Sequence, residues 1–323
     1  MEQRQLGRSG ITVSSIGLGT FTWGGSTKPD DAGPLLRAYL DAGGTLVDTA
    51  DIYAGGAAET ILGGLLDKVV PRADIVLATK AVGVLDGGRP RSDASRQHLM
   101  RALDDSLRRL GTDYVDVWQL HAWDSTVPLE ETLSAVDDAI SSGRVRHAGI
   151  CNYAGWQTVK AATAQQAKGH PLVTTQVEYS LLERGIEREV LPAAADQGLG
   201  VLAWAALGRG VLTGKYREGV SERRLNNPMF MAYNGRFLDE RSSAIVETVW
   251  GVAEELGVTP LAVALSWVRD RPGVTAALIG ARNVDQLSQS LAAEVDKLTL
   301  PQEALRKLDD ASAPHVGYPE SGI

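Results

Sequence analysis

The chain has 323 residues, of which 44% are hydrophobic and 22% are charged, and these proportions are ordinary for a globular protein with a large core. The formal net charge is −8. An acidic chain without a basic face is not suited to non-specific binding of nucleic acid or anionic membranes, so neither partner is expected.

Cysteine usage and hydropathy bear on the cellular compartment. The single cysteine, Cys151, excludes an intramolecular disulfide and is typical of a reducing cytosol. The amino-terminal residues show no secretory pattern, and no stretch approaches the roughly 20 apolar residues that span a bilayer. We therefore expect a cytoplasmic protein with no membrane partner.

The first predicted element differs from the alternation of strands and helices in the rest of the chain. Residues 4–13 read as two short strands around a Gly/Ser turn, which predicts a β-hairpin. Beyond them, short β-branched runs alternate with longer amphipathic runs. Strands are predicted at 13–18, 45–48, 75–80, 115–120, 146–150, 173–177, 200–204 and 275–279. Helices are predicted at 30–42, 58–67, 95–110, 129–142, 156–167, 186–197, 259–269, 284–293 and 301–312.

Eight strands alternating with helices indicate an α/β fold with a parallel sheet closed into a (β/α)8 TIM barrel. Such barrels exceed the usual domain length, so residues 1–323 are predicted to form a single domain. The amino-terminal hairpin would plug the bottom of the barrel. Residues 215–243, after strand seven, form a connection too long to be ordinary, and their apolar content favours a lid. Its large apolar residues are Met229, Phe230, Met231, Tyr233 and Phe237.

Polar residues close three successive strands. Asp48, Lys80 and His121 each end an apolar run, and Tyr53 follows Asp48 within the segment 48–53. Because barrel strands bring their carboxyl ends to one mouth, we expect these four side chains to meet there. A tyrosine hydroxyl beside an ammonium and an imidazole is suited to give a proton to a carbonyl oxygen. The pattern therefore predicts carbonyl reduction.

Each of the four residues has an expected task. A tyrosine pKa near 10 makes a slow proton donor, and a buried Lys80 ammonium is expected to lower it. Asp48 would pair with Lys80, since an unpaired ion in the barrel costs several kcal/mol. His121 would polarise the substrate carbonyl. Any one of these residues alone is typical of packing or of a structural ion pair, whereas the four together favour catalysis.

Glycine-rich loops after the last two strands point to a phosphate site. No Gly-x-Gly-x-x-Gly follows the first strand, so a Rossmann-type site is not supported. Instead, Gly208 and Gly210 follow strand seven, and Gly280 follows strand eight, where barrels often bind phosphate. Such glycines let backbone N–H groups approach a pyrophosphate. For either loop by itself, a simple turn remains an equal alternative.

Over essentially its whole length the chain resembles an aldo-keto reductase. The matching segments are 17–20, 48–63, 78–80, 106–116 and 119–121. The resemblance implies a barrel that uses a nicotinamide cofactor, and it implies Asp48, Tyr53, Lys80 and His121 as a catalytic tetrad. Residues 202–216 are similar to the pyrophosphate loop of the branch that includes channel-associated β subunits.

The same resemblance implies a set of cofactor-binding residues. Trp204 would stack on the nicotinamide, Asn152 and Gln176 would bind its carboxamide, and Lys215 would meet the pyrophosphate. The full implied set is Gly19, Thr20, Phe21, Asp48, Cys151, Asn152, Gln176, Trp204, Ala205, Leu207, Gly208, Gly210, Lys215, Arg224, Gly280, Arg282, Gln286, Gln289 and Ser290. Arg282 can fork onto a 2′-phosphate, so NADPH is the expected cofactor.

Three positions depart from the family pattern. Ala54 follows Tyr53 where glycine is usual, Cys151 replaces a serine, and Ser290 replaces an asparagine that commonly meets the adenine. We therefore expect less backbone freedom at Ala54, a weaker hydrogen bond to the carboxamide at Cys151 and a shorter reach toward the adenine at Ser290. None of the three belongs to the tetrad.

The predicted activity is NADPH-dependent reduction of an aldehyde or ketone to an alcohol, with the reverse oxidation possible. Trp23 and Trp123, together with Tyr53, His121 and the aromatic or Met residues of 229–237, are expected to line the substrate site, whereas Trp118 and Trp156 are expected to be packing residues. Aromatic aldehydes, small dicarbonyls, keto-sugars and other biosynthetic intermediates remain open as substrates, as does self-association. The alternative is an NADPH-binding regulatory or redox-sensing subunit with slow turnover. A metal-dependent hydrolase is disfavoured, because the five histidines lack ligand-like spacing.

Overall fold

The structure, a computed structural model, describes residues 1–86, 89–295, 298–315 and 317. Its strands are β1 (Gln3–Gln5), β2 (Thr12–Ser14), β3 (Ile16–Gly19), β4 (Leu46–Asp48), β5 (Val76–Ala81), β6 (Gly83–Asp86), β7 (Arg89–Ser92), β8 (Val115–Leu120), β9 (Val145–Cys151), β10 (Leu172–Glu178), β11 (Gly200–Trp204) and β12 (Val274–Ile279). Its helices are α1 (Pro29–Asp41), α2 (Ala57–Gly63), α3 (Arg96–Leu110), α4 (Leu129–Ser141), α5 (Gly155–Gln166), α6 (Val190–Gln197), α7 (Glu222–Leu225), α8 (Pro228–Asn234), α9 (Glu240–Leu256), α10 (Pro260–Arg269), α11 (Val284–Val295) and α12 (Gln302–Ala311).

Eight parallel strands close into a barrel in the order β3-β4-β5-β8-β9-β10-β11-β12, and β12 pairs with β3 to complete it. The predicted (β/α)8 barrel is confirmed. Strands β8 and β11 match their predicted ranges, but the predicted strand 13–18 is divided at Ser15. The division arises because β2 pairs antiparallel with β1 while β3 enters the barrel.

The amino-terminal hairpin closes the bottom of the barrel as expected. Leu6 and Val13 are fully buried and share an apolar cluster with strand residues such as Leu46 and Val117. Gly7 adopts a φ of +59°, and a Cβ on it would stand 2.3 Å from the carbonyl oxygen of Val173. The turn therefore needs glycine both for its backbone conformation and for its close approach to the barrel.

The surrounding helices follow their apolar patterns. In α3, Leu99, Leu103 and Leu110 are buried, and the Ser95 side chain accepts the His98 N–H at 3.3 Å. Gly111 ends the helix with a φ of +64°, as predicted from its C-terminal position. The barrel's outer surface and these buried helix faces form the main core.

Several elements differ from the prediction. Helix α9 was missed, and residues 240–243 of the predicted lid form its first turn, capped by Asp239, which accepts the Ser242 N–H at 2.8 Å. The remaining lid contains two short helices, α7 and α8, and the side chain of Met229 lies outside the described residues. The hairpin β6–β7 after β5 was also missed.

No single helix of the described chain is both long and apolar enough to span a bilayer. Helices α9 and α10 satisfy that test only together, across a bend of 102°.

Candidate active site

Lys80 is the centre of the polar cluster at the carboxyl ends of the strands. Its side chain is fully buried, and its Nζ donates to Asp48 Oδ2 at 2.6 Å, to the carbonyl oxygen of Thr49 at 2.8 Å and to Tyr53 Oη at 3.2 Å. Three acceptors match the three protons of the ammonium. Burial lowers the pKa of Lys80, but Asp48 and Tyr53 together outweigh it, so the pKa stays above its ordinary value. Lys80 is therefore a permanent cation next to the phenol.

The Asp48 carboxylate is fully bonded on its other side. Its Oδ1 accepts from Gln176 Nε2 at 2.8 Å and from Gln119 Nε2 at 3.3 Å. Gln119 was not assigned a role from the sequence, although its inward position two residues before His121 on β8 was the available signal. These amides orient Asp48, which in turn fixes Lys80.

Tyr53 and His121 face each other at the same mouth. Their ring centroids are 6.0 Å apart in an edge-to-face arrangement, and His121 Nδ1 has no hydrogen-bond partner among the described residues. Burial and the Lys80 charge lower the pKa of His121 to about 3, so the imidazole is neutral. Burial raises the pKa of Tyr53 to about 12, although Lys80 opposes this. The expected lowering by Lys80 is present, but the net shift has the opposite sign because desolvation of the phenolate is larger.

A strained loop holds Tyr53 in place. Residues 54–56 all adopt left-handed backbone, with φ of +48°, +64° and +92°, so Ala54 is indeed at a position where glycine is easier. Just beyond them, Glu59 is fully buried. It accepts from Arg109 Nε at 2.8 Å and from Thr79 Oγ1 at 2.5 Å. These two hydrogen bonds connect the Tyr53 loop to Arg109 on α3 and to Thr79, the residue before Lys80.

Asp51 is a titratable group that sequence reasoning did not single out. Its Oδ1 is buried and has no hydrogen-bond partner in the described part of the chain. Burial, reinforced by the neighbouring Glu59 carboxylate, raises the pKa of Asp51 to about 7. The site therefore contains a carboxyl group that changes charge near neutral pH.

Three cations meet beyond the ends of β11 and β12. Lys215 Nζ lies 4.9 Å from the Tyr216 ring centroid and Arg224 lies 5.6 Å from it. Burial, together with the charges of Arg282 and Arg224, lowers the pKa of Lys215. Among residues 1–86, 89–295, 298–315 and 317, none of the three forms a salt bridge. Uncompensated cations in an acidic protein are suited to hold an anion.

The loop after β11 folds tightly around itself. Gly208 and Gly210 have φ of +56° and +85°, and their N–H groups donate to the carbonyl oxygens of Ala205 and Leu207 at 2.7 and 2.9 Å. These two amides are thus engaged within the turn rather than free for a pyrophosphate, unlike the expectation. A Cβ on Gly210 would stand 2.3 Å from Lys215 Nζ, so glycine there makes room for the ammonium.

At the end of β11, Trp204 lies next to Asn152. The indole Nε1 donates to Asn152 Oδ1 at 3.0 Å, and Asn152 Nδ2 donates to the carbonyl oxygen of His121 at 3.0 Å. Each end of the Asn152 amide therefore makes one hydrogen bond within the protein. The Oε1 of Gln176 receives no hydrogen bond from the described residues, which leaves it available to a ligand donor. Cys151 is buried beside them.

The remaining residues of the implied cofactor set lie along β3, β12 and α11. Thr20 is buried, and its hydroxyl donates to the carbonyl oxygen of Asp48 at 3.2 Å. This hydroxyl therefore connects the end of β3 to the end of β4. A Cβ on Gly280 would stand 3.9 Å from the Gly19 carbonyl oxygen, which places these two strand ends side by side.

The start of α11 organises Arg282. Gln286 Oε1 accepts the backbone N–H of Arg282 at 3.1 Å, and Ser290 Oγ donates to the Gln286 carbonyl oxygen at 3.1 Å. Ser290 is buried against its own helix, whereas Gln289 is exposed. The Gln286 side chain thus holds the backbone of Arg282 at the start of α11.

Residues after β11, from Arg209 to the lid, reach across the mouth. Arg209 forms two bonds to the Glu178 carboxylate, at 2.8 and 2.7 Å, and lies 4.4 Å from the Tyr233 ring centroid. Tyr233 stacks on Phe21 with centroids 6.1 Å apart, and Phe21 packs edge-to-face on Tyr53 at 5.2 Å. The segment around α8 therefore spans from the end of β11 to the loop after β3.

The tryptophans lie differently from their predicted positions. Trp23 has no exposed surface and belongs to the main core, so it does not form an open wall of the mouth. Trp118 is buried as expected. Trp156 is 59% exposed and packs at the surface, against Trp123. Trp123 is partly buried and contacts Trp156 with ring centroids 5.4 Å apart.

Within the described ranges, no group of three or more His, Cys, Asp or Glu side chains could hold a metal ion.

Comparison with known proteins agrees with this geometry. A sequence model of the Aldo/keto reductase family matches residues 15–313. Over 320 residues, 96% of this chain and 95% of the relative, it is 37% identical to a Bacillus subtilis protein named Uncharacterized oxidoreductase YrpG. It is 34% identical to the Bacillus subtilis Aldo-keto reductase YhdN, over 89% of this chain and 87% of the relative. It is also 34% identical to a Probable voltage-gated potassium channel subunit beta from Oryza sativa subsp. japonica, over 94% of each chain.

The fold and the polar cluster define a barrel oxidoreductase. The chain belongs to the aldo/keto reductase family, as the resemblance predicted.

Proposed function

We propose that this protein reduces an aldehyde or ketone to an alcohol with NADPH, and that Tyr53 donates the proton. The observation that carries the proposal is the contact of 3.2 Å between the buried Lys80 ammonium and Tyr53 Oη. A cation fixed at that distance stabilises the phenolate that remains after the proton has left.

The raised pKa of Tyr53 suits this task. With a pKa of about 12, the phenol is fully protonated at neutral pH, so every molecule holds the transferable proton. The oxygen that receives it becomes alkoxide-like during reduction, and an alkoxide is a stronger base than a phenolate. The neutral His121 imidazole lies opposite the Tyr53 ring and would contact the same carbonyl oxygen.

The residues present fit a phosphorylated dinucleotide. Lys215, Arg224 and Arg282 would hold its phosphate groups, Trp204 would lie against the nicotinamide, and Gln176 Oε1 would accept from the carboxamide. NADPH, when bound, supplies a hydride to the carbonyl carbon. Three uncompensated cations favour NADPH over NADH, because the 2′-phosphate adds charge where NADH has a hydroxyl.

A panel of carbonyl compounds, assayed by the loss of NADPH absorbance, tests the proposal. Tyr53→Phe should lower kcat by about 10²- to 10⁴-fold, because the general acid is lost. Its Kd for NADPH, measured by fluorescence titration, should stay near that of the wild type. Tyr233→Phe is the matched control, since it removes a hydroxyl from the lid and keeps the ring. A Tyr53→Phe variant that retains more than about a third of kcat, with chemistry rate-limiting, would show that Tyr53 is not the acid.

The 34% identity to a plant potassium channel β subunit favours one alternative, an NADPH-binding regulatory or redox-sensing subunit. Both functions predict tight NADPH binding, so turnover separates them. Enzymes typically reach kcat of about 1–10³ s⁻¹. Values several orders of magnitude lower for every carbonyl in the panel, with intact NADPH binding, would favour the regulatory function.

A further inference from the structure

Exposed apolar surface is concentrated at the catalytic mouth. The described large apolar side chains with substantial exposure are Phe21, Trp156, Val159, Leu225, Met231 and Tyr233. Phe21, Met231 and Tyr233 lie in the connections that follow β3 and β11, and Trp156 is the second residue of α5, shortly after β9. Phe21 and Tyr233 stack on each other, so their exposed surface is contiguous, which is typical of a binding site.

Two aromatic groups stand on opposite sides of this mouth. In the closed order of eight strands, β3 and β9 are four strands apart in either direction. Phe21 follows β3 and contacts Tyr53, whereas Trp156 follows β9. On the β9 side, Asn152 donates to the backbone carbonyl oxygen of His121, so this rim is bonded to the main chain of His121. A carbonyl held between the Tyr53 and His121 rings thus has a separate aromatic group on each side.

The group on the His121 side is rigid before any ligand binds. Trp123 packs edge-to-face on Tyr153 at 5.2 Å and on Trp156 at 5.4 Å. Tyr153 is almost fully buried and anchors the group to the core. Gln157 Oε1 accepts the Ala154 N–H at 2.8 Å, which fixes the start of α5 beneath Trp156. An indole held in this way loses little conformational entropy when a second ring stacks on it.

The charge around this group disfavours an anionic ligand. Its three aromatic members are uncharged, and Arg91, a cation close enough to act on Asp124, forms an ion pair with Asp93 at 3.7 Å. Burial raises the pKa of Tyr153, and the nearby Cys151 and Asp124 side chains raise it further. The Asp124 carboxylate is bonded to the Ala94 N–H at 3.0 Å and to Thr126 Oγ1 at 2.7 Å, so it is held in place as an anion.

We propose that Trp156, supported by Trp123, is a specificity-determining residue that stacks on the part of the substrate distal to its carbonyl. The preferred substrates are then uncharged carbonyl compounds with a flat aromatic system extending at least one ring beyond the ring that bears the carbonyl. This inference rests on the proposed carbonyl reduction.

A graded series of aldehydes tests the inference. The kcat/KM values for propanal, benzaldehyde and 4-phenylbenzaldehyde are compared in the wild type, in Trp156→Ala and in Gln166→Ala, an exposed control at the far end of α5. Trp156→Ala should lower kcat/KM for 4-phenylbenzaldehyde about tenfold, mainly through KM, and that for propanal by less than about twofold. Trp156→Phe should restore most of the loss, because a ring remains. Gln166→Ala should match the wild type.

A binding measurement separates this inference from the reaction itself. Calorimetric titration of 4-phenylbenzyl alcohol into the protein with NADP⁺ should give a Kd about tenfold weaker in Trp156→Ala than in the wild type. If no aldehyde is reduced but this difference in Kd is found, the proposed reaction fails while the stacking role stands. Equal losses for all three aldehydes, an unchanged Kd for the alcohol, or a change in oligomeric state in place of these effects would each overturn the inference.

Discussion

Replacing Lys80 by methionine tests the geometry of the site most directly. Methionine keeps much of the volume of the side chain but removes the charge that contacts Asp48 and Tyr53. The buried carboxylate then loses its cation, and the phenolate loses the group that stabilises it. Both stability and kcat should fall, for two separable reasons.

The structure sets the size of the stability loss. Breaking a buried ion pair costs about 3–5 kcal/mol. Asp48 keeps its bonds from Gln176 and Gln119, and hydrogen bonds to a charge offset part of that cost, so we expect about 3 kcal/mol. For 323 residues, with an unfolding entropy of roughly 0.7 kcal/mol/K, this lowers Tm by about 4–5 °C.

A double-mutant cycle with Asp48→Asn isolates the pair. The double variant should regain most of the lost stability, because neither charge is left alone, but little of the activity. Urea midpoints and kcat are measured for both single variants and the double. Arg217 and Glu247 serve as a control pair, since they are bonded at 2.7 and 2.6 Å at the surface and their cycle should show a much smaller coupling than that of Lys80 and Asp48.

The contrary result is well defined. If the stability losses of Lys80→Met and Asp48→Asn simply add, the two side chains do not interact and the proposed site is wrong. If kcat is unchanged in Lys80→Met, the ammonium does not assist Tyr53.

Three further predictions follow from other parts of the site. Arg282→Ala should raise the Kd for NADPH about tenfold and that for NADH much less, because charge-assisted bonds to the 2′-phosphate are lost. Equal weakening of both cofactors in titrations would contradict this. Burial raises the pKa of Asp51 to about 7, so the folded protein binds this proton more tightly than the unfolded chain does. Stability is therefore lost as pH rises from about 4 to about 7. Asp51→Asn should therefore raise stability by about 1–3 kcal/mol at about pH 8 and change it little near pH 4, and a gain of equal size at both pH values in urea unfolding would refute the assignment. Glu178→Ala should speed NADPH dissociation in stopped-flow measurements, because Arg209 loses the carboxylate that helps hold it against Tyr233 of the lid. An unchanged rate would show that this contact does not retain the cofactor.

Local sequence was sufficient for the barrel strands and for the position of the tetrad. Strands such as 115–120 and 200–204 are short apolar runs bounded by turn residues, so their limits are visible without the fold. Since parallel strands must end at one mouth, the positions of Asp48, Lys80 and His121 at strand ends were enough to bring them together. The same reasoning missed α9, because its first turn was assigned to the lid although its apolar spacing continued the helical pattern.

The exposure and electrostatics of individual side chains were decided only by the tertiary structure. Nothing local distinguishes Trp23, which is fully buried, from Trp156, which is 59% exposed, because each depends on which distant segments cover it. The pKa of Tyr53 likewise depends on burial by several strands and loops, which outweighs the single cation that the sequence identified. The type and order of the candidate catalytic groups are thus a property of local sequence, whereas their solvation arises from contacts between residues far apart in the chain.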